Sequence, residues 1–159
     1  MRAIYPGTFD PITLGHVDVI SRAVKIFGNL TIAIAQDNNK SSIFTVEKRM
    51  EMAKMAMKEC NLNVEVVMFK GLLVDFMKQS NANIIVRGLR AISDFEYEFQ
   101  MSCINSRLSS EVETVFLPAK DDMHFVSSSI IRSVAALGGD VSEFVPACVV
   151  KAIKEYYSN

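Results

Sequence analysis

The sequence predicts an α/β fold built on a parallel sheet. Three observations carry that prediction. Five short runs rich in Val, Ile and aromatic residues alternate with longer amphipathic stretches, the strand–helix order of α/β proteins. One run, Leu30-Thr31-Ile32-Ala33-Ile34-Ala35, is nearly continuous in apolar character, as a central strand covered on both faces must be. Half of the 159 residues are apolar, enough for a packed core, and this length predicts a single domain over residues 1–159.

The elements follow in order. Strands are expected at Arg2–Tyr5, Leu30–Gln36, Asn63–Phe69, Asn83–Arg87 and Glu113–Leu117. The first helix, Gly15–Phe27, should stop at Gly28, a residue suited to the position just past a helix. Thr45–Glu59 has Thr45 as its N-cap and Glu47 in its first turn. Helices at Leu72–Gln79, Asp94–Leu108 and Ser128–Leu137 follow, the last ending at Gly138-Gly139. Pro146–Tyr157 opens with proline near the first helical position. On the second helix, Val46, Met50, Ala53 and Met57 form one apolar face for the core. Met52 and Met55 lie off it and are expected to face a subunit partner.

Charge and cysteine content exclude several classes. Seventeen basic and eighteen acidic residues leave a net charge of −1, which argues against a dedicated nucleic-acid binder. Cys60, Cys103 and Cys148 show no metal-ligand spacing and are expected to be reduced, buried or half-buried thiols. Met1–Tyr5 lacks the apolar run of a signal peptide, and no run approaches the ~20 residues of a membrane span. The expectation is a soluble, cytoplasmic protein with no membrane partner.

In such sheets ligands sit beyond the carboxyl ends of the strands, where strand order reverses. After the first strand comes Pro6-Gly7-Thr8-Phe9-Asp10-Pro11-Ile12-Thr13-Leu14-Gly15-His16. This loop opens a helix, whose free N–H groups suit phosphate. His16 falls in the first turn, where the helix terminus disfavours imidazolium and leaves a neutral ring to donate one N–H. Arg87-Gly88-Leu89-Arg90 follows the fourth strand, and guanidinium groups there can clamp phosphate. Met123-His124-Phe125-Val126-Ser127-Ser128-Ser129 follows the fifth and opens a helix with three hydroxyls.

Thr13-Leu14-Gly15-His16 resembles the (His/Thr)-x-Gly-His motif of the nucleotidyltransferase superfamily. The longer string from Tyr5 to Thr13 is similar to the bacterial-type phosphopantetheine adenylyltransferases. Lys40 before Phe44-Thr45-Val46-Glu47-Lys48-Arg49 agrees, although Lys48 stands where the family usually has glutamate. Arg87-Gly88-Leu89-Arg90 with Asp94-Phe95-Glu96-Tyr97-Glu98 agrees as well. So does Val126-Ser127-Ser128-Ser129, with valine for the usual isoleucine, and Met123 stands where some relatives carry tryptophan.

The resemblance implies a Rossmann-like doubly wound five-stranded sheet in order 3-2-1-4-5 with helices on both faces. It implies adenylyl transfer from ATP to 4′-phosphopantetheine, giving dephospho-CoA and pyrophosphate without a covalent enzyme intermediate. The implied catalytic residues are Thr8, His16, Lys40 and Arg90. ATP contacts fall to Thr8, Phe9, His16, Gly88, Leu89, Arg90, Glu98 and the segment Met123, His124, Phe125, Val126, Ser127, Ser128 and Ser129. The acceptor falls to Thr8, Lys40, Leu73 and Arg87. Mg²⁺ is expected on the ATP phosphates, with no dedicated protein site. The family also implies a homohexamer and coenzyme A as feedback inhibitor. Two rivals remain at this stage: another adenylyl- or cytidylyltransferase of the same superfamily, for instance one acting on nicotinamide mononucleotide, and a non-catalytic nucleotide-binding regulator.

Overall fold

The computed structural model describes residues 2–36, 42–120 and 123–158. Five strands, β1 (Ala3–Gly7), β2 (Leu30–Ala35), β3 (Glu65–Phe69), β4 (Ile84–Leu89) and β5 (Glu113–Pro118), form one parallel sheet in the order β3-β2-β1-β4-β5. Six helices accompany them: α1 (Leu14–Phe27), α2 (Val46–Glu59), α3 (Leu73–Gln79), α4 (Ile92–Leu108), α5 (Ser128–Ala136) and α6 (Ala147–Tyr157). The chain steps outward from β1 to β2 and β3, then crosses back to β4 and β5. Right-handed crossovers send the two directions of travel to opposite faces.

The core records this division. Ala3, Tyr5, Ile32, Ile34, Ile84 and Val86 join α1, α2, α5 and α6 in the larger cluster. Their neighbours Ile4, Ala33 and Ile85 point the other way and pack with Met77 of α3. Alternation along the inner strands β1, β2 and β4, with both sides buried, is the physical reason they read as nearly continuous apolar runs.

The expected boundaries hold to within two residues or so. Thr45 caps α2 by accepting the Lys48 N–H at 3.2 Å, and Gly28 ends α1 with φ of +72°. Helix α4 begins at Ile92, two residues before the expected Asp94. Two expectations are corrected. Met52 does not face a partner; it is 2% exposed in the core, and only Met55 is turned outward. Cys60 and Cys103 are exposed rather than buried, leaving Cys148 as the one buried thiol among the described residues. Among the described residues, no helix is long and apolar enough to cross a membrane.

One departure opens the site. Strand β1 pairs with β4 only through Ala3 and Ile4, while its pairing with β2 continues to Gly7. Pro6 has no N–H to give the ladder. Its carbonyl instead accepts Arg87 Nη1 at 2.7 Å, so a guanidinium occupies the gap where the two strands part.

Candidate active site

A cavity of about 480 Å³ lies at that parting, beyond the carboxyl ends of β1 and β4. Its lining includes Thr8, Phe9, His16, Arg87, Gly88, Arg90, Glu98, Met123, Val126, Ser127, Ser128 and Ser129. A second cavity of about 230 Å³ adjoins it. The two share Pro6, Gly7, Thr8, Arg87, Tyr97 and Glu98, and Leu73, Phe69 and Met101 line the second one. Residues far apart in sequence are thus brought together as expected. Leu89 ends β4 in register with Pro118 and lines neither cavity. His124 and Phe125 are exposed and stay outside both, with Phe125 edge-on to Phe144. Lys40 lies outside the described residues.

The β1 turn is tightly built. Gly7 admits the ring of Phe9, since a Cβ there would meet that ring at 2.9 Å. Phe9 itself has φ of +49°. A bulky residue in the left-handed region costs of order 1–3 kcal/mol and persists only where its surroundings fix it. Its ring packs edge-on against His16 and Tyr5, at 5.0 and 5.3 Å between centroids. Gly88 does similar work across the cavity: a Cβ there would come within 3.1 Å of Val19 and 3.3 Å of the Tyr5 hydroxyl. Burial, foremost, pushes the Tyr5 phenol up to about 12.

His16 is the third residue of α1 and completes a capping box. Thr13 Oγ1 accepts the His16 backbone N–H, and His16 Nδ1 accepts the Thr13 backbone N–H at 3.0 Å. A backbone N–H can only donate, so Nδ1 carries a lone pair and the ring proton sits on Nε2. Burial, then the charges of Arg90 and Arg87, pull the imidazole down to about 3. The ring is therefore neutral, with Nε2–H as a fixed donor.

The opposite wall carries charge. Arg87 grips Glu98 through two hydrogen bonds of 2.6 and 2.5 Å. Burial alone would lower the Arg87 pKa, but the Glu98 contact outweighs it and holds the pKa above the usual range. Arg90 pairs with Asp94 at 3.0 Å. At the third side, Ser127 caps α5 by accepting the Ile130 N–H, Ser127 and Ser129 hydroxyls lie 3.1 Å apart, and Ser128 donates to the Pro11 carbonyl at 2.8 Å. Three arginines, Arg87, Arg90 and Arg132, face the cavity against two carboxylates, Asp94 and Glu98. The N-termini of α1 and α5 add further positive potential. The arrangement suits a polyanion of several phosphates.

Arg132, the basic residue that closes the serine motif opening α5, lines the cavity and donates to the Asp10 carbonyl at 2.6 Å. Sequence reasoning gave no role to three residues that build this site: Tyr5 lines it, and Arg49 and Asp10 lie buried behind it. A signal existed for Arg49: it is a charged residue on the same helical stripe as Val46 and Ala53. Nothing comparable marks Asp10.

A cytidylyltransferase-like family model matches residues 4–134. A phosphopantetheine adenylyltransferase of Wolbachia pipientis from Culex pipiens is 52% identical over 146 residues, covering 92% of this chain and 87% of that protein. Another from Heliobacterium modesticaldum is 49% identical over 157 residues, covering 99% and 93%. This chain belongs to the phosphopantetheine adenylyltransferase family. In fold it is similar to a crystal structure from Vibrio parahaemolyticus that carries a provisional nicotinate-nucleotide adenylyltransferase name. That likeness has a TM-score of 0.68 at 17% identity and spans 96% of this chain and 99% of the other. At that identity it speaks for the fold alone. As a family member the protein is a nucleotidyltransferase, and its sheet order is the expected one.

Proposed function

We propose that this phosphopantetheine adenylyltransferase family member transfers AMP from ATP to 4′-phosphopantetheine, yielding dephospho-CoA and pyrophosphate by direct attack. The carrying observation is the pair of cavities meeting at Thr8 and Arg87, one with arginines and helix termini, the other with an apolar arm reaching Leu73. A triphosphate suits the first. A phosphate with a long, weakly polar tail suits the second.

In the reaction an oxygen of the acceptor phosphate attacks the α-phosphorus, and the bond from α-phosphorus to the β-phosphate oxygen breaks. The acceptor is already anionic near neutral pH and needs no base. His16 supports this reading, because its one lone pair is committed to the Thr13 N–H. It is built to donate from Nε2 to the charge growing on the α-phosphate. Thr8, Arg87 and Lys40 hold the acceptor phosphate in line; Arg90 and Ser127, Ser128 and Ser129 hold the triphosphate and the leaving pyrophosphate. Phe9, Gly88, Glu98, Met123 and Val126 complete the nucleotide side, with Leu89, His124 and Phe125 at its edge.

Mg²⁺ fits as a companion of ATP. Asp94 and Glu98 are each engaged by an arginine, and no cluster of three His, Cys, Asp or Glu side chains occurs among the described residues. When bound, the ion would offset phosphate charge, held mainly by the nucleotide. A homohexamer is consistent with the exposed apolar residues Phe95, Phe99, Ile104 and Leu108 along α4. Coenzyme A, made of the same two halves as the substrates, is proposed to compete for both cavities, and the protein is proposed to work in the cytoplasm.

The deciding experiment measures pyrophosphate release with Mg-ATP and either 4′-phosphopantetheine or nicotinamide mononucleotide. Release with the first alone, with dephospho-CoA seen by mass, is expected. Release with the second alone would overturn the acceptor, and tight ATP binding without release would favour a regulator.

A further inference from the structure

Behind the cavity lies a buried arginine that touches no ligand space. Arg49, on α2, is 2% exposed and lines neither cavity. Its Nη1 donates to the Thr8 carbonyl at 2.6 Å and the Ala35 carbonyl at 3.1 Å, and its Nε donates to the Phe44 carbonyl at 3.2 Å. Among the described residues no carboxylate forms an ion pair with it. Burying a guanidinium against neutral carbonyls alone is costly. The three carbonyls come from three segments: the exit of β1, the end of β2 and the entry to α2.

We propose that Arg49 is a positioning residue for the transfer reaction: it holds the Thr8 carbonyl and so fixes the left-handed turn at Phe9 that presents the Thr8–Phe9 peptide to the substrate phosphates. The turn needs such a restraint, since Phe9 sits at φ of +49°. A planar trans peptide points its N–H opposite to its carbonyl. With the Thr8 carbonyl drawn to Arg49, the Phe9 N–H is turned away from α2. Asp10 closes the restraint. Its carboxylate accepts the Ile43 and Phe44 N–H groups at 2.9 and 3.0 Å. Phe44 is thus held by Asp10 at its nitrogen and by Arg49 at its oxygen, and the segment 8–10 is tied at one end to α2 and at the other to the turn that enters it.

The reaction assumed is the one proposed above, so the test includes a readout that does not need turnover. Arg49→Gln removes the charge and all but one donor pair. Arg49→Lys keeps the charge but lacks the fork that spans separate carbonyls. For each, kcat and both KM values are measured well below the thermal midpoint, with the ¹⁵N–¹H signal of the Phe9 amide in ligand-free protein. Expected is a displaced Phe9 signal in both variants. Arg49→Gln should lose about 10²-fold in kcat, the range for a small misplacement of reacting groups, and Arg49→Lys less. An unmoved Phe9 signal in folded protein overturns the proposal, whether or not kcat falls, and so does an unchanged kcat. If neither variant folds, Arg49 serves the fold at large and the assignment is withdrawn. If wild-type protein does not turn over 4′-phosphopantetheine, the acceptor reading fails, and the Phe9 signal alone decides the role of Arg49.

Discussion

On the β1 side of the cavity, His16 is fixed by a backbone N–H, its ring is wedged against Phe9, and the turn before it is tied down from behind by Arg49 and Asp10. On the β4 side, Arg87 and Arg90 are held by carboxylates on α4, Glu98 and Asp94. The first wall is restrained by ring contacts and by hydrogen bonds to backbone groups, which a phosphate cannot replace. The second is restrained by charge pairs, and an arriving phosphate offers each arginine an alternative acceptor of the same sign. Under the proposed reaction, one wall would be preorganised toward the transition state, while the other would exchange one anion for another as ligand binds. Those roles predict different losses on mutation.

The largest effect should fall on the first wall. His16→Ala is expected to lower kcat by about 10²–10³, the range for removing one oxyanion donor. The KM values should change little, because the contact strengthens mainly in the transition state. Steady-state kinetics on folded variant checks this. A loss confined to KM would move His16 to ground-state binding and erase the contrast between the walls.

Arg90→Met should cost less, and in a different parameter. Hydrogen bonds to charged groups contribute about 1.5–3 kcal/mol, so kcat/KM for ATP should fall roughly 10–100-fold. Added salt should shrink the difference between wild type and variant, since the exposed pair with Asp94 and the phosphate contact are both screened. Stability should barely move, exposed pairs being worth about 0–1 kcal/mol. A kcat loss as large as that of His16→Ala would show that this wall, too, is built for the transition state.

The two walls also differed in how plainly they could be read from sequence. Thr13-Leu14-Gly15-His16 is a local device: cap, turn and imidazole ring fall within one helical turn, so spacing alone implies their geometry. The arginine segment announced phosphate but not its resting partners, because the Arg87–Glu98 pairing depends on how α4 lies over β4. Arg49 and Asp10 were hidden for a similar reason. The hydrogen bonds of their side chains go to backbone carbonyls and N–H groups, which no side-chain pattern encodes. Met52 was misplaced because α2 packs against α6 as well as the sheet, widening its buried face beyond one stripe: the Cys148 thiol meets the Met52 carbonyl at 3.6 Å. The inner strands of the sheet were legible because two-sided burial leaves nearly unbroken apolar runs.

The neutrality of His16 can be tested through stability. Its folded pKa of about 3 lies below the unfolded value of 6.5. Between those values the unfolded chain binds a proton that the folded protein refuses. Stability from this group is therefore complete above about pH 6.5 and declines as pH falls toward 3. The slope can reach at most about 1.4 kcal/mol per pH unit for one proton. Urea unfolding from pH 7 to pH 4 should show this component in wild type and lose it in His16→Asn. An identical slope in both would mean that His16 takes up a proton in the folded protein as readily as in the unfolded chain. The kcat profile of wild type should likewise show no inflection near pH 6.5.

The smallest effect probes the exchange of anions directly. Glu98→Gln keeps the shape and one acceptor oxygen but removes the charge that holds Arg87. The pair is partly exposed at Arg87 and mostly buried at Glu98, so the loss should be about 1 kcal/mol, between surface and buried pairs. Urea unfolding at pH 7 measures it. Phosphate should then compensate. Inorganic pyrophosphate supplies the charge that Glu98 no longer does, and the stability gap between variant and wild type should narrow when it is added. If pyrophosphate stabilises both proteins equally, Arg87 keeps Glu98 when ligand is bound. The β4 wall is then as fixed as the β1 wall, and the difference between them lies only in charge.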